Sequence, residues 1–251
     1  MEPNIPESIV SVTHANDWIS GIKGCETEAD VEAVARQLVR FFDFQEFIFA
    51  TLHKNGEQEH YRYHFGCAPQ WIYRYIKNKW YAIDPFVAYA LQNSNPILAS
   101  DIPLTSPGQQ RMMASANEHG FHSAVVVPAH SAATPWVGVL SLVSSEGSDH
   151  VQRSFDAHRY LMRAFGMELL EWCDSKLHDN NVSDLDIDSL DIELLRKAQG
   201  HVTAAQAASE LNITVSLAEW RYKQLLLKLS VASKQRAVEK AVVLRIIKPM
   251  L

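Results

Sequence analysis

Apolar residues recur at helical spacing in "ADVEAVARQLVRF" (29–41), which predicts an amphipathic helix. The pattern then changes. "FIFATLHKNGEQEHYRYHF" reads as two strands joined across Asn55-Gly56, the dipeptide that best supplies a tight hairpin turn. "APQWIYRYIKNKW" returns to helical spacing, and a short helix, 85–92, follows the Asp84-Pro85 break. "SAVVVPAH" and "WVGVLSLVSS" are strand-like runs. Residues 151–174 form a long amphipathic helix with Phe155, Met162, Phe165, Leu169 and Trp172 on one stripe. That stripe is either core of its own domain or a pairing surface.

Helices flanking an antiparallel sheet predict an α+β domain, an α/β/α sandwich over residues 1–175. "DSKLHDNNVSDLDIDS" is polar, acidic and aperiodic, so residues 176–188 are expected to be a linker. Residues 189–251 hold three or four short helices and are expected to form a small all-α domain. No internal repeat or low-complexity tract interrupts this plan.

Charge sharpens the division. The net charge is −6, yet residues 189–251 carry ten Lys/Arg against five Asp/Glu, a balance of +5. Residues 1–188 carry −11. An acidic body with a basic end suggests a module joined to something that meets polyanions. The N-terminus shows no signal-peptide pattern and no apolar run approaches ~18 residues, so a cytoplasmic protein without a membrane span is expected. Three cysteines, Cys25, Cys67 and Cys173, are widely spaced and odd in number, which argues against a disulfide framework.

One carboxylate stands out. Asp84 lies among aromatic and aliphatic residues in "WYAIDPFVAYAL". With Pro85 at the first helical position it can cap helix 85–92. It can also face a cavity as an acceptor, and the two roles are compatible.

In the basic end, "TAAQAASEL" opens with a capping-box spacing, Thr203 and Gln206. The turn "NIT" then leads into "VSLAEWRYKQLLLKL". Helix, short turn, helix is the helix-turn-helix pattern, whose second helix can enter the major groove. Its inward stripe is Ala218, Tyr222, Leu225 and Leu229; a parallel stripe is Leu217, Arg221, Gln224 and Lys228. Arg and Gln can read base edges and Lys suits phosphate, although a solvated basic face would carry the same residues.

These residues resemble the DNA-binding domain of LuxR-type quorum-sensing regulators. The resemblance is carried by Ala198, Gly200, Thr203, Gln206, Ala208 and Leu211, then by Ile213, Thr214, Lys228, Leu229 and Val231, and finally by Arg236, Ala237 and Val238. The family's Arg-Glu pair near the first helix is absent, and its Thr-Val at the start of the recognition helix is Leu217-Ala218. The resemblance implies DNA contacts from Arg221, Gln224, Lys228, Thr203, Thr214 and Leu217.

The N-terminal part is similar to the same family's autoinducer-binding domain through Trp71, Tyr75, Asp84 and Pro85. An acyl-homoserine lactone has two carbonyls and an amide N–H on an apolar tail, which calls for two donors and one acceptor. The resemblance implies that Trp71 donates to the lactone carbonyl and Tyr75 to the acyl carbonyl, while Asp84 accepts from the amide. Ser141 falls where the family often places a further hydroxyl. A pocket tryptophan of the family is Ala99 here, and a glycine is Ala124. Ala99 implies a bulkier ligand, a gap filled by neighbours or weakened binding.

The implied protein is a homodimeric transcription regulator that binds DNA and a small-molecule autoinducer and needs no cofactor. The competing reading is a divergent member that acts by pairing with related regulators. His60 with His64, and His119 with His122, have spacings compatible with metal, but nothing completes either site, so no metal is expected. No G-x-S-x-G, P-loop or G-x-G-x-x-G occurs, and no enzymatic activity is expected.

Overall fold

In the computed structural model, which describes residues 7–53, 61–66, 69–131 and 136–250, five strands form one antiparallel sheet. They are β1 (Glu46–His53), β2 (Tyr61–Gly66), β3 (Ile97–Leu98), β4 (Ser123–His130) and β5 (Trp136–Ser144), ordered β2-β1-β5-β4-β3. β1 pairs along β5 from Glu46↔Val143 to His53↔Trp136, and β4 pairs along the other edge of β5 from Ser123↔Ser144. β1 and β2 are antiparallel as expected; the Asn55-Gly56 turn lies outside the described residues. β3 has two residues, too few for any periodicity to announce it.

Among the described residues, five helices precede and a sixth spans the break after Trp172 that divides the chain into two compact units. They are α1 (Glu7–Gly21), α2 (Glu28–Phe41), α3 (Pro69–Lys77), α4 (Pro85–Gln92), α5 (Pro107–Glu118) and α6 (Ser148–Asp184), whose last residues belong to the second unit. α5 opens on a capping box between Ser106 and Gln109, a signal in "SPGQQ" that assigned no element in the sequence reading.

Alternation divides the sheet into two faces. Phe47 and Phe49 point one way with their partners Leu142 and Leu140, and Phe47 stacks 6.5 Å from Phe165 of α6. Gly166 allows this approach, since a Cβ there would meet Val127 Cγ1 at 3.1 Å. Met162, Phe165, Leu169 and Trp172 are all buried, so the α6 stripe is core of its own unit. The opposite face carries Ala50, Leu52, Val126, Val137 and Val139 beneath α4. The α/β/α layering expected from the sequence is therefore present.

The second unit contains the end of α6, then α7 (Ser189–Gln199), α8 (Ala204–Glu210), α9 (Val215–Lys228) and α10 (Lys234–Val243). Leu194, Leu195, Ala218, Tyr222, Leu225 and Leu229 centre its core. Residues 176–188, read as an aperiodic linker, are helical to Asp184. The polar residues that interrupt the periodicity have partners instead. His178 Nδ1 lies 2.8 Å from the Arg245 carbonyl, Asn181 donates to the Leu244 carbonyl at 2.7 Å, and Asp174 pairs with Arg245 at 2.9 Å. No described helix is long and apolar enough to cross a membrane.

Candidate functional site

Asp84 occupies the N-cap of α4 with an extended backbone, φ −60° and ψ 118°, which Pro85 favours. Its Oδ1 accepts from the Phe86 N–H at 2.7 Å, and its Oδ2 accepts from the Tyr75 hydroxyl at 2.6 Å. The side chain is 8% exposed, and burial pushes its carboxyl above the usual carboxylate range against the pull of those two bonds. Each oxygen keeps a lone pair for a further donor. Asp84 is thus the cap of α4 with acceptor capacity to spare.

Trp71 and Tyr75 lie one turn apart on α3, and both are buried. Trp71 sits in an aromatic cluster, with ring centroids 5.6 Å from Trp80, 5.4 Å from Phe121 and 5.3 Å from His119. Tyr75 spends its only hydroxyl hydrogen on Asp84. That departs from the expected donation to an acyl carbonyl, because the nearest acceptor to the phenol is a buried carboxylate. Toward a ligand, its oxygen is left as an acceptor unless the hydroxyl is re-aimed.

Trp71, Tyr75, Asp84, Ala99, Ala124 and Ser141 all line one cavity of about 630 Å³. This size falls in the range of roughly 300–1,000 Å³ typical of small-molecule sites. Ile48, Ala50, Val139 and Ser141 form its floor, as β-sheet positions of one face. Phe86, Val87 and Ile102 make an apolar end. Ala99 stands in the wall beside Ser100 and Asp101, in a single 3-10 turn, Ala99–Asp101. Asn117, His122, Ser123, Asp149 and Gln152 line the same cavity and are polar. Nothing in the sequence singles them out as a set, because they come from a helix terminus, a strand start and the first turn of α6, with no spacing in common.

The DNA-contact residues expected on α9 fare differently. The inward stripe Ala218, Tyr222, Leu225 and Leu229 is buried, with the Tyr222 hydroxyl donating to the Leu194 carbonyl at 3.0 Å. Arg221, however, is paired with Asp188 at 2.7 Å and with Asp191 at 3.3 Å. Lys228 is paired with Asp191 at 3.0 Å and donates to the Asp186 carbonyl. Asp191 is fully buried on α7, so both cations hold α9 against α7 instead of projecting freely. A buried carboxylate thus draws two cations of the parallel stripe, Arg221 and Lys228, toward α7. Burial alone would push the Arg221 guanidinium down, but its two aspartate partners hold it above its ordinary value.

Gln224 is half-buried and Leu217 is exposed. Thr203 is engaged in a reciprocal capping box with Gln206, and Thr214 caps α9 by accepting from the Leu217 N–H at 3.2 Å. The outward face of α9 is largely apolar, with Val215, Leu217, Trp220 and Leu227 exposed beside Lys223.

Of the two histidine pairs, His119 and His122 are described, and each ring meets a backbone carbonyl. His119 Nδ1 lies 2.8 Å from the Ser115 carbonyl and His122 Nδ1 lies 3.0 Å from the Ser145 carbonyl. His60 and the side chain of His64 lie outside the described residues, among which no cluster of three or more metal-ligating side chains occurs. Cys25 is half-buried and Cys173 is buried; Cys67 lies outside the described residues.

Residues 27–171 match the family model of the autoinducer binding domain. No curated protein matches the sequence. Among solved structures, Escherichia coli SdiA is similar over 94% of this chain and 98% of its own, at 16% identity and a TM-score of 0.64. SdiA in complex with octanoyl-rac-glycerol is similar over 92% of this chain and 93% of its own, at 14% identity and the same TM-score of 0.64. CepR2 from Burkholderia cenocepacia, an N-acylhomoserine lactone dependent LuxR family transcription factor, covers 66% of this chain and 98% of its own, at 18% identity and a TM-score of 0.54.

Proposed function

This chain belongs to the autoinducer-binding family, a family of regulatory ligand-binding domains and not of enzymes, and we propose that it is a cytoplasmic, ligand-responsive transcription regulator. One observation carries the reading. Six residues separated by up to 70 positions converge on one cavity around a buried, hydrogen-bonded carboxylate. The sensor is residues 1–175, and residues 189–251 are the DNA-binding helix-turn-helix, with α8 and α9 as its two helices.

The ligand is an amphiphile with an amide and an apolar tail, in the class of the acyl-homoserine lactones. Its amide N–H donates to Asp84, Trp71 meets the head-group carbonyl, and Ser141 supplies a further hydroxyl. The tail takes the apolar end beside Val87 and Val139. Ala99 leaves space that an indole would fill, and Ala124 adds a second small lining residue, so the head group is bulkier than a bare lactone. Ligand acts by binding the DNA-competent state more tightly than the alternative. The regulator pairs with a second copy, as two-fold operators require.

DNA contacts fall to Gln224, Leu217 and Lys223, with Thr203 and Thr214 near the backbone. Arg221 and Lys228 act by holding α9 in position. The exposed Val215, Trp220 and Leu227 favour a second reading, in which the chain pairs with related regulators and reads DNA poorly. Thermal shifts with lactones of varied acyl length, followed by salt-dependent DNA binding of the full chain, separate the two. Stabilisation by lactone together with salt-dependent binding supports the regulator. Stabilisation without DNA binding supports the pairing protein.

A further inference from the structure

The lining of the cavity has a sign. Asp101 and Asp149 both line it and both are exposed, which puts them at its mouth, whereas Asp84 is a buried lining residue. None of the described lining residues is Lys or Arg. Neither Asp101 nor Asp149 makes an ion pair among the described residues; Asp101 meets only the neighbouring Ser100 hydroxyl, at 3.4 Å. The other polar groups there are Asn117, Ser123, Ser148 and Gln152, which are neutral, and His122. Ser123 already donates to the Glu146 carbonyl at 2.6 Å. Among the described residues, three carboxylates and no Lys or Arg therefore line this cavity.

We infer that this mouth selects the ligand's head group by charge, admitting a neutral or cationic head rich in N–H and O–H donors and rejecting an anionic one. The inference rests on the ligand-sensing reading above and narrows it. Ala99 sets the geometry: where a large side chain would close the wall, a methyl leaves the head group open to Ser100 and Asp101. A head held at Asp84 through its amide then extends toward the acids. An ammonium or hydroxyl there finds acceptors. A carboxylate finds the like charges of Asp101 and Asp149, and like charges a few ångström apart near a protein surface repel by enough to cost about tenfold in affinity.

The test uses four octanamides of matched length: N-propyl, N-hydroxypropyl, N-aminopropyl and N-carboxyethyl. Their affinities for the full chain are measured by calorimetry at neutral pH. The expected order is aminopropyl and hydroxypropyl above propyl, with carboxyethyl weakest and about tenfold or more below aminopropyl. Raising the salt should shrink that ratio, and Asp101→Asn with Asp149→Asn should bring it close to one. The salt series reads the same effect if the double variant fails to fold. Equal or tighter binding of the carboxyethyl amide overturns the inference while leaving the ligand-sensing reading intact. If no octanamide and no acyl-homoserine lactone binds, both fall together.

Discussion

Asp84 concentrates two demands on one side chain. It completes the first turn of α4, and it stays polar in a cavity whose apolar end is built from Phe86, Val87 and Ile102. Burial raises its folded-state pKa above the ordinary value of 3.8. The ionised form therefore costs stability that is regained as the pH falls through the raised value toward the unfolded one. The wild type should gain stability relative to Asp84→Asn on acidification from neutral pH toward about pH 4, as read from paired melting curves. Ligand binding should move the other way. An amide N–H prefers the ionised acceptor, so affinity should fall as the pH drops through the raised pKa; a flat affinity profile would remove Asp84 from the contact. At Ala99 the expectation is steric. Ala99→Trp should fill space in the cavity and weaken a bulky-headed ligand by tenfold or more, while a compact lactone binds as well or better. If every ligand binds Ala99→Trp as it binds the parent, the head does not reach that wall.

Elements differ in how openly the sequence declares them. β4 and β5 are continuous apolar runs because both faces of the sheet are covered, and their strand character is plain in "SAVVVPAH" and "WVGVLSLVSS". Trp71, Asp84 and Pro85 could be placed because a short motif keeps them within fourteen positions. The polar mouth could not be read, since Asp101, Asn117, His122 and Asp149 meet only after the sheet and α5 are assembled. The end of α6 was hidden for a related reason. His178 and Asn181 look like linker residues until their partners at Leu244 and Arg245 are known. The pairing of Arg221 and Lys228 was hidden too: helical spacing shows their stripe but not the buried Asp191 that both meet. Asp191→Asn should thus destabilise the second unit by about 1–3 kcal/mol by weakening both pairs, measured by denaturant unfolding. Leu225→Ala should cost about 2–5 kcal/mol by opening a cavity in a fully packed site. No loss of stability from Asp191→Asn would return Arg221 and Lys228 to the surface.

At the scale of the molecule, an acidic ligand-binding unit and a basic helical unit share one chain, and the account joins them as sensor and DNA reader. Neutralising Arg221 and Lys228 internally leaves few free cations on α9, so DNA affinity should be modest and carried partly by Lys223. Lys223→Ala should lower the salt dependence of full-chain DNA binding by about one unit, whereas Lys228→Ala should act mainly through lowered stability. Light scattering at micromolar concentration should report a dimer whose population rises with ligand. All of this depends on the cavity receiving an amide through Asp84. The most direct test is calorimetric titration of the full chain, as wild type and as folded Asp84→Asn, with octanoyl-homoserine lactone at neutral pH. The account expects binding by the wild type and a loss of tenfold or more, roughly 1–3 kcal/mol, in the variant; equal affinity for the two proteins would contradict it.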